Sequence, residues 1–261
     1  MTATLRFCAA LVSTSIRSAM AERGAFLMRA LLMAVNNAIF FTFWIVLLWR
    51  VPTIRGYGLA DIAVLYGVVA VAHGLAVFVA GGMSYLARMI HEGELDALLA
   101  QPKPVLLHAL GTRSQPTGLG DIVSGLVMIG LSGRVGVAGA GFVVIAGVAG
   151  AIVLVATAVV VSSSAFWLGR TEAASRQLYE ATLLFSLYPD SLFGGPLRVV
   201  LFTVIPAGLV GYLPAELIKS PSLSTALWIA AAVATYAALA ALVFQHGLRT
   251  YSSGSRFATF G

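Results

Sequence analysis

The residues able to do chemistry are few and unevenly spread. The chain carries 10 Asp and Glu and 4 His among 261 residues. The densest set falls in Ser84 to Pro104, SYLARMIHEGELDALLAQPKP, with Arg88, Glu92, Glu94, Asp96 and Lys103 between strongly apolar runs. Charge at that density does not sit in hydrocarbon. The stretch belongs in water beside a membrane, either as a solvated connection or as a docking element for a cytosolic partner. Gly93 interrupts the incoming helix. Glu94 and Asp96 then fall in the first turn of a new one, where its dipole favours them. Leu95, Leu98 and Leu99 give it an apolar side, and Pro102 and Pro104 stop it. The pattern predicts a short amphipathic helix of about two turns.

Bond-making machinery is missing. There is no GxxxxGK[ST], and neither Lys103 nor Lys219 follows a glycine, so the chain has no P-loop of its own. HExxH and GxSxG are absent too. Cys8 is the only cysteine, which excludes an internal disulfide and a multi-cysteine metal site.

Polar residues inside the apolar runs are sparse. Asn36 and Asn37 fall near the middle of the first run and His73 at the centre of the second. The two amides either line a path or hydrogen-bond neighbouring helices. Phe40, Phe41 and Phe43 either form an aromatic wall for a hydrophobic substrate or face lipid and packing. His73 reads as a packing residue rather than a proton carrier. Asp61 and Asp121 read as lying near span ends. A proton- or sodium-driven carrier needs buried carboxylates, so their scarcity points to energy from a partner.

The elements that must hold these residues are membrane spans. Hydrophobic residues make up 59% and charged residues 10% of the chain, and mean hydropathy is +0.95. Soluble domains run at about 45–50% and about 25%. The fold class is an all-α membrane protein with six spans, at about 25–49, 59–83, 117–131, 137–168, 197–218 and 222–244, and a polar connection at 84–114. Pro206 and Pro214 break the fifth. Gly136 with Ala140, and Gly147 with Ala151, offer small residues for close packing. Glu172, Arg176 and Glu180, spaced by four, predict an amphipathic surface piece over 170–187. Residues 1–24 predict an interfacial amphipathic helix, with Leu5, Val12 and Ile16 on one face and no cleaved signal pattern. An even span number puts both termini on one side. Of the 16 basic residues, only Arg50, Arg55, Arg134 and Lys219 then fall outside, so both termini are cytoplasmic. Scattered singly, these cations mark topology and form no stripe for nucleic acid.

Two segments carry a family resemblance. IHEGELDALLAQPKP resembles the cytosolic signature of type-2 ATP-binding cassette (ABC) exporter permeases. YPDSLFGGPLRVVLFTVIPAGLVGYLPAELI resembles their second signature: Tyr-Pro, an Arg before an apolar stretch, Ile-Pro-Ala, then Tyr-x-Pro-Ala. The likeness covers nearly the whole chain.

The resemblance implies a multi-pass permease of the cell membrane that pairs with an identical or similar permease. Two cytosolic ATPase subunits bind below and hold ATP and Mg, so this chain carries no cofactor and is not itself an enzyme. Glu92, Gly93, Glu94, Leu95, Asp96 and Leu99 become the ATPase-coupling helix. The N-terminal helix also touches the ATPase, and the run around Pro206 to Pro214 becomes short helices near the outer leaflet. The substrate expected is a hydrophobic or cationic small molecule (drug, toxin or antibiotic-like) or a lipid. Asn36, Asn37, Phe40, His73 and Pro206 are the path candidates. The alternative is a stand-alone secondary transporter or channel, with His73 its only central site. A membrane-embedded enzyme would need convergent acid, base or nucleophile groups at one depth, and the sequence supplies none.

Overall fold

The computed structural model describes residues 2–136 and 139–252. These form helices joined by short turns, with one isolated β-bridge between Ile54 and Tyr57. In chain order they are α1 (Thr2–Ala19), α2 (Arg23–Arg50), α3 (Leu59–Ala80), α4 (Leu86–Glu92), α5 (Asp96–Leu99), α6 (Val105–Gly111) and α7 (Thr117–Leu131). Then come α8 (Ala140–Ser162), α9 (Ala165–Leu168), α10 (Glu172–Ser186), α11 (Pro196–Thr203), α12 (Leu213–Lys219) and α13 (Leu223–Thr250).

Among the described residues, four stretches are long and apolar enough to cross a membrane: Arg23–Arg50, Leu59–Glu92, Ala140–Leu168 and Leu223–Thr250. The bent pair Pro196–Thr203 and Gly208–Lys219 would make five if it were one span. Helix α7 is 15 residues, about 22 Å at 1.5 Å per residue and short of a ~30 Å hydrocarbon core.

The core is built on α3, which α7 and α8 flank. Leu65, Val64 and Val68 of α3 are sealed against Ile129 of α7 and Ala146 of α8. The α3–α7 crossing depends on glycine. A Cβ on Gly74 would come within 2.5 Å of the Gly118 carbonyl, and one on Gly118 the same distance from the Gly74 carbonyl. Gly67 and Gly125 repeat this two turns on. Small residues let two backbones touch where lipid gives no hydrophobic drive. Gly74→Ala is expected to lower stability by about 1–3 kcal/mol, read as an earlier thermal aggregation midpoint in detergent. Of the small residues singled out in the sequence, Gly147 meets Val71, whereas a Cβ on Gly136 would meet open space.

Two ends of the bundle can be told apart by contacts. At the polar end Arg170 Nε donates to His91 Nε2 at 3.2 Å, Phe7 meets His108 edge-on at 5.4 Å, and Ser114 N donates to Ser15 Oγ at 2.6 Å. Helix α1 lies here against α6, and α13 finishes here. At the other end Arg134 pairs with Asp61 at 3.2 Å, and Tyr57 donates to Asp190 Oδ1 at 2.7 Å.

These contacts redraw the expected fifth span. Asp190 pairs with Arg198 at 3.2 Å just before the run, and Lys219 at its finish sits 4.8 Å over the Tyr57 ring. Both ends of 197–218 therefore lie at the Tyr57 end. The chain dips in and returns, bent by 69° between its two helical parts. A proline without an amide hydrogen at 206 and a π-helical turn over Gly208–Tyr212 allow the bend. Helix α10, expected to lie on a surface, instead runs from the Arg170 end to the Asp190 end, packed on α8 and α3. Its four-spaced Glu172, Arg176 and Glu180 stay exposed, as expected, at the rim of an open pocket.

Other boundaries differ less. The expected span 137–168 breaks at Ser163 and Ser164, whose hydroxyls bond back to Val159 and Val161 carbonyls. Residues 137–138 lie outside the described residues. The last helix starts at a Ser222 cap, whose Oγ accepts from Thr225 N, and runs six residues past 244.

Candidate functional site

The polar end is organised by one backbone reversal. Helix α4 stops at Glu92 because Gly93 takes φ 82°, a left-handed conformation that costs other residues energy. The chain then turns into α5. The expected two-turn helix is a single α-helical turn, since Pro102 and Pro104 cut it short. Its first backbone bonds are Leu98 N and Leu99 N to the Leu95 carbonyl, at 3.0 and 2.9 Å.

The six residues expected to couple to an ATPase divide into two groups. Leu95 is wholly buried and Leu98 beside it nearly so, which anchors the turn in the core. Glu92, Glu94 and Leu99 are exposed. Asp96 is half-buried against Tyr251, just after α13. Burial, then the neighbouring Asp96 carboxylate, raises the Tyr251 phenol to about 12. The result is a rigid base with acidic groups projecting from it.

The second constellation lies deep in the bundle. Asp121 is 1% exposed. Asn37 Nδ2 donates to Asp121 Oδ1 at 2.7 Å and approaches Ser124 Oγ at 2.8 Å. His73 Nδ1 faces Asp121 Oδ2 at 3.1 Å. Asp121 was expected near a span end; it stands five residues into α7, but α2 and α3 close over it. A buried carboxylate needs such donors, because burial without them is very costly. Asn37 is helix-bonding, as one of its two expected roles allowed. His73 is satisfied, yet its side chain keeps 21% exposure toward open space.

That space is two cavities. One, about 990 Å³, is lined by Asn36, Phe40, Phe43, Trp44, Tyr66 and Tyr188, with His73, Asp121 and Glu180 at its polar edge. The other, about 500 Å³, opens toward the polar end and is lined by Ser84, Gln115, Glu172, Arg176 and Tyr179. His73, Glu180 and Leu183 border both. The buried Tyr179 hydroxyl and Ser175 Oγ have no hydrogen-bond partner among the described residues, and both line the smaller cavity.

Of the expected path residues, Asn36, Asn37, Phe40 and His73 meet at the larger cavity. Phe41 packs on Tyr66 at 5.8 Å instead. Pro206 borders neither cavity and serves the re-entrant bend. Sequence reasoning missed Asp121, Tyr179 and Glu180. The available signal was a carboxylate inside an apolar helix together with His73 and Asn37 in neighbouring ones.

The Tyr57 end carries its own network. Asp190 accepts from both Tyr57 and Arg198, and burial and this bond push the Tyr57 phenol well above its usual range. Tyr57→Phe is expected to cost about 1 kcal/mol of stability by leaving Asp190 with one partner. A thermal melt in detergent checks this.

Searches of curated proteins and of solved structures gave no match. The family model described as ABC-2 family transporter protein matches residues 34–255, which takes in α3 to α13 and most of α2. With a long apolar bundle and an acid-tipped polar end, the chain belongs to the ABC-2 transporter family as a multi-pass membrane permease subunit.

Proposed function

We propose that the chain is the transmembrane half of an ATP-driven exporter for hydrophobic or cationic small molecules. The observation that carries this is the pairing of an acidic, core-anchored turn at one end with an aromatic cavity edged by Asp121, His73 and Glu180. Two ATPase subunits, holding ATP and Mg, dock on Glu92 and Glu94. A second permease, identical or similar, faces the cavity side. ATP closure moves the Leu95-anchored turn as a lever, and α4 and α3 carry the motion to His73.

On this reading α10 supplies the fifth crossing, and the count of six comes from α2, α3, α7, α8, α10 and α13. Its polar residues are tolerated because they line the cavity. Both termini lie in the cytoplasm, with α1 in the inner surface. Arg198 now joins Arg50, Arg55, Arg134 and Lys219 at the Tyr57 end. Ten described basic residues remain toward the polar end, and this bias supports an inside location for it. Arg256 lies outside the described residues.

A second reading, a proton-linked carrier, is favoured by the buried Asp121–His73 pair. Efflux of ethidium from proteoliposomes separates the two. Dependence on an added ATPase and ATP supports the exporter. Ethidium movement by the chain alone under a pH gradient supports the carrier.

A further inference from the structure

We infer that the polar end holds a site for the phosphate headgroup of an anionic membrane lipid. A pocket of about 290 Å³ lies between α1, α2 and the turn after α6. It is lined by Ser15, Ser18, Arg29, Thr112, Arg113 and Ser114. Neither arginine forms an ion pair among the described residues. Arg113 is held instead by stacking on the Tyr85 ring at 4.1 Å. Two guanidiniums and four hydroxyls, of which those of Thr112 and Ser114 already donate to the Ala109 and Phe78 carbonyls, line a wall with no carboxylate, which matches an oxyanion.

The pocket is built and placed for lipid. Ser114 N bonds Ser15 Oγ at 2.6 Å and Ser114 Oγ bonds the Phe78 carbonyl at 2.7 Å, which fixes α1 and the turn to α3. Arg29 is the seventh residue of α2, so its guanidinium sits at headgroup depth when the rest of α2 enters hydrocarbon. Leu32, one turn deeper, is 59% exposed and Met28 beside it 56%. These apolar side chains give acyl tails a surface continuous with the two cations. A free phosphate would need none of it.

The test uses the purified full chain in mild detergent and titrates short-chain phosphatidylglycerol against phosphatidylcholine, with native mass spectrometry as readout. The wild type is expected to retain phosphatidylglycerol more strongly. Arg29→Gln with Arg113→Gln is expected to reduce that retention about thirty-fold, from roughly one contribution per basic residue near an anionic surface. Arg29→Lys with Arg113→Lys keeps the charge and is expected to retain most of the binding, which guards against a merely misfolded Gln variant. Equal retention of both lipids, or unchanged phosphatidylglycerol binding in the Gln variant, overturns the proposal. So does displacement by inorganic phosphate at matching concentration, which would identify a free-anion site. Loss of a co-purifying ATPase with lipid retention intact would assign the pocket to that protein instead.

Discussion

Asp121→Ala is expected to abolish transport and to lower stability by about 3 kcal/mol. The carboxylate is the common acceptor for Asn37 and His73, which belong to α2 and α3. Truncating it leaves His73 without its partner, Asn37 with Ser124 alone, and a void where a fully buried side chain stood. Asp121→Asn separates charge from packing. Its amide oxygen still accepts from Asn37, and its amino group can donate to a neutral His73. The melt is therefore expected to stay within a few degrees of wild type, while ethidium efflux falls at least about tenfold. Normal efflux by a well-folded Asp121→Asn variant would show that the charge at the cavity edge plays no part in moving substrate.

The second large effect is at the opposite functional extreme, the acidic turn. Glu94→Ala with Asp96→Ala is expected to uncouple ATP hydrolysis from transport, with efflux down by about tenfold or more. The two positions do not contribute alike. Glu94 is exposed, so Glu94→Ala alone should leave the melt unchanged and lose coupling through the missing docking charge. Asp96 is half-buried beside Tyr251, so Asp96→Ala should also loosen the contact between the turn and the end of α13. ATPase rate and efflux measured together on the same proteoliposomes check both. Normal transport by the double variant would rule out docking at this turn.

The membrane class and the polar turn were legible because they rest on composition and on local punctuation. Gly93 takes the left-handed conformation its place after Glu92 suggested, and α7 has the bounds its apolar run predicts. What was not legible is tertiary. Hydropathy marked 197–218 as a span because its residues are apolar, but apolarity does not say whether a chain crosses or returns. Pro206 and the Arg198–Asp190–Tyr57 contacts decide that. The same criterion passed over α10, which runs between the two ends although Glu172, Arg176 and Glu180 keep its outer face polar and exposed. Asp121 does lie near the start of α7, but position within one helix says nothing about which neighbours cover it.

The proposed exporter moves solute only with an ATPase docked on its acidic turn. A photo-crosslinking amino acid at position 94 of the tagged chain, expressed in its native cells and followed by mild-detergent purification and mass spectrometry, tests it most directly. A P-loop ATPase crosslinked at that position is expected, together with a six-span partner or a second copy of the chain. Recovery of the chain with no ATPase, crosslinked or co-purified, would contradict it.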